Sequence, residues 1–89
     1  MTPKQELTMM DKIIRELDDL SNSQTSVLKK ISQIEAENIN LGSEILNDAL
    51  PGIHEEVDDA VQKINDLIEK FKDNRNEFEK NNPIAEGEQ

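Results

Sequence analysis

The chain has 89 residues, 34% of them hydrophobic and 2% aromatic, with a mean hydropathy of -0.76 and no cysteine. A domain of this size buries only about 60% of the surface that its unfolded chain exposes, and without cysteine it has no disulfide, thiolate nucleophile or cysteine metal site. With 20 Asp and Glu against 10 Lys and Arg, the net charge is -10, which repels phosphate backbones and anionic headgroups and argues against nucleic acid and membrane surfaces as partners.

At the N-terminus, Met1-Thr-Pro-Lys-Gln-Glu-Leu-Thr-Met-Met lacks the basic-then-apolar layout of a signal peptide. No apolar run approaches the roughly 18 residues of a spanning segment, so no membrane insertion is expected. These features predict a cytoplasmic protein, with export by a route that needs no cleaved signal left open. Thr2, Pro3 and Gln5 form a helix start: an N-cap, a proline at the first helical position and the second half of a capping box. From Met10, steps of three and four give Ile13, Leu17, Leu20, Gln24, Val27, Ile31, Ile34, Asn38, Leu41 and Ile45, a heptad series with only Gln24 and Asn38 polar. Leu50-Pro51-Gly52 then reads as a turn, because proline disfavours the helical conformation of Leu50 and suits the opening of the next helix. The spacing resumes as Ile53, Val57, Ala60, Ile64, Leu67, Phe71, Asn74 and Phe78. Ile14, Leu28, Val61 and Ile68 widen both stripes beyond what a two-stranded seam requires, which suits three or four helices. Residues 81–89, with Pro83 and Gly87, read as a disordered acidic tail.

The expected fold is all-α: an antiparallel helical hairpin with helices over about 3–47 and 51–80, a turn at 48–52, and a partner chain completing a three- or four-helix bundle. Such helices would be roughly 65 Å and 45 Å long, leaving Met10, Ile13, Ile14, Leu17 and Leu20 uncovered as the predicted partner-binding strip. Either a partner covers this overhang or the chain bends at 21–26, where N-cap residues cluster; the unbroken heptad phase favours the continuous helix. Polar residues within an apolar seam can fix register and oligomer state, a role open to Gln24, Asn38 and Asn74.

Chemistry is sparse. His54 and Asp58 stand four apart, as a metal pair could, but there is no second histidine; carboxylates in the first turns of a helix are what its dipole favours. The run from Asp73 to Glu79 alternates oxygen-bearing side chains, yet Arg75 and Phe78 occupy places that a calcium loop cannot give them. Neither a catalytic triad nor a phosphate-binding loop is apparent. The sequence therefore predicts a non-enzymatic protein without cofactor or metal, whose partners are another helical protein or a second copy of itself.

Two amphipathic helices joined by a central glycine-bearing turn, Leu50-Pro51-Gly52, resemble the WXG100-like small helical-hairpin proteins of type VII secretion, including the partners of LXG toxins. Leu50 stands in place of that family's tryptophan. The family's aromatic-then-acid export signal has its nearest counterpart in Phe78 and Asn82, with asparagine for the acid. The resemblance spans about residues 5–82 and implies a secretion partner or targeting chaperone that pairs with another hairpin. A slighter one, in Leu41-Gly42-Ser43-Glu44-Ile45, is similar to the stretch before the central polar layer of SNARE helices; Asp48 stands where that layer's Gln or Arg would be, and Pro51-Gly52 interrupts the helix. A third reading, independent of either family, is a small acidic inhibitor or regulator that occupies a basic surface by charge mimicry.

Overall fold

The computed structural model describes residues 1–83. They form two helices, α1 (Pro3–Leu41) and α2 (Glu44–Asn81), folded back on one another as an antiparallel hairpin with extents of 63 × 17 × 16 Å. The all-α hairpin expected from the heptads is the observed architecture, and α1 runs unbroken through 21–26. Its start is as anticipated: Thr2 Oγ1 accepts from the Gln5 N–H at 3.1 Å, and Gln5 Oε1 accepts from the Thr2 N–H at 2.9 Å.

The turn lies elsewhere. It is Gly42-Ser43, and Leu50, Pro51 and Gly52 are all inside α2. Gly42 ends α1 at φ 71°, a left-handed conformation that costs an L-residue about 1–2 kcal/mol and glycine almost nothing; its N–H donates to the Asn38 carbonyl at 2.7 Å. Ser43 opens α2, its Oγ accepting from the Leu46 N–H at 3.4 Å. Asn38, 4% exposed, ties the two caps together. Its Oδ1 accepts the Ser43 N–H at 2.9 Å, and its Nδ2 donates to the Ser43 carbonyl at 3.1 Å and to Asn47 Oδ1 at 2.8 Å.

Magnitudes explain the outcome. Proline inside a helix costs about 3 kcal/mol, since it removes one donor and crowds the carbonyl four residues back; here that is the carbonyl of Asn47, whose residue is exposed and open to water. Turning at 42–43 instead of 48–52 gives helices of 39 and 38 residues, so α2 reaches the whole length of α1. Full burial of a large aliphatic side chain is worth about 1.5–3 kcal/mol. Covering even part of Met10, Ile14 and Leu17 together with two good caps therefore outweighs one proline. The predicted overhang does not exist.

Three cross-links show the register. Arg75 Nε donates to Asp11 Oδ1 at 2.8 Å, Ser21 Oγ donates to Asn65 Oδ1 at 2.7 Å, and His54 Nδ1 lies 2.7 Å from Glu35 Oε1. Between them runs a thin core in which Ile31, Leu50 and Ile68 are buried, and among the described residues no side chain is fully enclosed. The predicted tail begins one residue too early, since Asn81 closes α2; 84–89 lie outside the described residues.

Candidate helix-docking surface

The seam that joins the helices is only half the predicted one. Along α1 the residues turned toward α2 are Leu7, Met10, Ile14, Leu17, Ser21, Gln24, Leu28, Ile31, Glu35 and Asn38, all buried or half-buried; along α2 they are Leu50, His54, Val57, Val61, Ile64, Ile68, Phe71, Arg75 and Phe78. Each helix thus contributes a heptad a/d series, but one of the two predicted sets is replaced by its neighbour. The displaced set in α1, Ile13, Leu20, Val27, Ile34 and Leu41, is exposed throughout. In α2 the displaced set is Ile53, Ala60, Leu67 and Asn74, of which Ile53 and Leu67 are about half exposed at 47% and 49%.

Both displaced sets precede an a position by one residue and are therefore g positions. In an antiparallel pair the g positions of the two helices flank the same side of the seam, and the e positions flank the other. With the observed register, Leu20 stands level with Leu67, Val27 with Ala60, Ile34 with Ile53, and Leu41 with Leu46. The result is a single apolar stripe along one long side of the hairpin, with aliphatic residues from both helices at matching heights. Ile39, Leu41 and Ile45 extend apolar surface onto the turn, each at least 74% exposed.

The opposite side has a different chemistry. Asp18, Ser21, Asn22, Asn65 and Asp66 line a shallow open depression there, and Gln62 Nε2 donates to Asp58 Oδ2 at 3.1 Å. Near its end Arg75 bridges Asp11 and, at 3.0 Å, Glu79. The Arg75 pKa is raised above its ordinary value, first by the hydrogen bond to Asp11 and then by the charges of Asp11 and Glu79, with partial burial opposing.

The predicted site residues consequently separate. Met10, Ile14 and Leu17 are half-buried against α2 and are not free for a partner, whereas Ile13 and Leu20 belong to the exposed stripe. Of the polar seam residues, Asn38 organises the turn, Gln24 is half-buried within the seam, and Asn74 is exposed on the stripe side, off the seam. Val27, Ile34, Ile53 and Leu67 complete the surface. The heptad spacing alone places them in the internal seam, and the signal that separates them is the existence of two overlapping heptad series, since one hairpin can bury only one.

Among the described residues no group of three His, Asp or Glu is placed to hold a metal ion, and no helix is long and apolar enough to cross a membrane. No protein-family model matches the chain, and neither a curated protein nor a solved structure is detectably similar to it.

Proposed function

We propose that this protein is a non-enzymatic interaction module that docks other helices along the apolar stripe. The observation that carries the reading is the seven-residue spacing of exposed aliphatics on both helices, level with one another and on one side only. Scattered surface aliphatics are ordinary, but a continuous strip of this length marks an interaction site. Its aspect, long, straight and two helices wide, suits another helix or hairpin.

The sharpest form of the proposal is a secretion partner or targeting chaperone that pairs with a helical substrate. It draws on the hairpin architecture and on Phe78, whose carbonyl accepts from Asn82 Nδ2 at 3.1 Å, so that the asparagine replacing the family's acid serves as a C-cap here. The turn at Gly42-Ser43 takes Leu50-Pro51-Gly52 out of the argument for that family.

Replacing Leu20 and Val27 with lysine tests the docking reading. Both are more than 40% exposed, so the hairpin retains its helicity by circular dichroism while association with helical partners is lost. Charge reversal at Glu55, Asp58 and Asp59, which lie away from the stripe, leaves association intact. The opposite pattern, with the acidic cluster essential and the stripe dispensable, replaces this reading by the charge-mimic inhibitor.

A further inference from the structure

We infer that the occupant of the stripe is a second copy of this chain, packed stripe to stripe about a two-fold axis parallel to the long axis, with α1 of each copy on α2 of the other. The inference rests on the docking reading and adds the partner's identity and orientation.

Area comes first. A face 63 Å long and 17 Å wide offers on the order of 1,000 Å² in projection, above the about 800 Å² per partner of a standard stable interface. A hairpin whose apolar core is limited to Ile31, Leu50 and Ile68 has much to gain from a second layer, since two helices alone enclose no side chain completely.

Charge decides the partner. The chain carries -10 overall, which opposes self-association, but the charge is unevenly placed. One helical step outward from the stripe, at the c positions of both helices, the rim holds four glutamates, at 16, 37, 56 and 77, and three lysines, at 30, 63 and 70. The border of the stripe is therefore nearly neutral, and most of the acidic excess lies on surfaces that a second copy does not approach.

Register supplies the complementarity. With two copies side by side at equal height, Glu16 of one faces Lys70 of the other, and Lys30 faces Glu56. Ser23 faces Lys63, and the two-fold axis repeats every pair. No like charges oppose one another on this rim. Within a single chain, Glu16, Lys30, Glu56 and Lys70 make no ion pair among the described residues, so these charges await partners that the arrangement provides. The alternative two-fold axis, perpendicular to the helices, stacks α1 on α1 and brings Lys63 against its own copy, which like-charge repulsion disfavours.

Light scattering together with directed cross-linking tests the assignment. The unaltered chain is expected at twice its 10.1 kDa mass, and Leu20→Lys/Val27→Lys at the single mass. Because the sequence has no cysteine, Ser23→Cys/Lys63→Cys reports the geometry: a short bis-maleimide is expected to link two copies of the double variant, and neither single variant to itself. Efficient self-linking of Ser23→Cys alone overturns the arrangement in favour of the perpendicular axis. A single-mass species at every concentration overturns the second copy altogether. In that case the docking reading stands if Leu20→Lys/Val27→Lys still abolishes binding to a purified helical partner, and falls if it does not.

Discussion

The two long sides of this hairpin are built from the same helices at the same register, yet one is aliphatic and the other polar. On the e side, Asp11, Asp18, Thr25 and Ser32 of α1 run alongside Asp58, Asn65, Lys72 and Glu79 of α2; on the g side, Ile13, Leu20, Val27 and Ile34 run alongside Asn74, Leu67, Ala60 and Ile53. A free-standing two-helix rod gains nothing from such asymmetry, because both flanks meet water equally. A layered bundle requires it, since one flank becomes interior and the other remains surface. The hairpin's own seam and its exposed apolar stripe are therefore separate features, open to independent disruption.

The largest effect is expected from adjacent turns of α1. Ile31 is 6% exposed and Ile34 is 37% exposed. Ile31→Asp both removes an apolar group from the seam and brings a carboxylate among apolar neighbours, costing about 4 kcal/mol or more, enough to unfold so slight a core. Ile34→Asp lies on the stripe and leaves the hairpin helical. On the proposed association through the stripe, the melting temperature of the unaltered protein is expected to rise with concentration, and Ile34→Asp is expected to abolish that dependence. Equal loss of helicity in the two variants would erase the distinction between seam and stripe.

Backbone substitutions come next and oppose one another in sign. Pro51 and Gly52 are inside α2, and nothing lies within 4 Å of a Cβ added at Gly52. Pro51→Ala is expected to stabilise by up to about 3 kcal/mol and Gly52→Ala by up to about 1 kcal/mol, with no change in the distance between spin labels at Ile34 and Leu67. Gly42→Ala, at φ 71°, is expected to destabilise by about 1–2 kcal/mol. Thermal melts of the three variants check these signs; a turn at 48–52 predicts that Pro51→Ala with Gly52→Ala lengthens the label distance instead.

Asn38→Ala is expected to cost about 2 kcal/mol, because it leaves the Ser43 N–H without its acceptor at a partly buried turn and removes both donations from Nδ2, although the Ser43 carbonyl keeps the Asn47 N–H. Asn38→Asp keeps the acceptor for that N–H and loses both donations from Nδ2, so its denaturation midpoint should fall between those of the unaltered protein and Asn38→Ala. The pairing of this variant series with Gly42→Ala locates the hinge of the hairpin chemically.

Much of this was legible in the residues, and the failures are instructive. The capping box at Thr2, the continuity of α1 and the antiparallel hairpin follow from spacing alone. The turn did not, because Pro51-Gly52 is the stronger local breaker and Leu41-Gly42-Ser43-Glu44 reads as helix stop and start only when both caps are weighed together with Asn38, whose side chain bridges them. Nor did the seam. In α1 the series through Leu20 and Val27 is more apolar than the one actually used, which carries Ser21 and Glu35, so hydrophobic counting favours the docking stripe over the hairpin seam. What resolves the ambiguity is the matching of two helices along their whole length, a tertiary condition that no window of one helix contains.

The smallest effect is expected on the polar side, at Asp11 and Arg75. Their contact is geometrically good, with Arg75 Nε 2.8 Å from Asp11 Oδ1, but the Asp11 side chain is 40% exposed, and pairs open to solvent contribute about 0–1 kcal/mol after screening and side-chain ordering. A double-mutant cycle of Asp11→Asn and Arg75→Gln should therefore give a coupling below about 1 kcal/mol that shrinks as salt is added. The sign of its pH dependence follows from the raised Arg75 pKa: the contribution of the guanidinium is present throughout the pH range below its unfolded value and is lost only as pH rises through the still higher folded value, far into the alkaline range. Across ordinary pH the guanidinium's contribution is flat. Association through the stripe, driven mainly by apolar burial, should persist at a salt concentration that removes the Asp11–Arg75 coupling. If the same salt dissociated the assembly completely, the charged rim and not the aliphatic stripe would be holding it together.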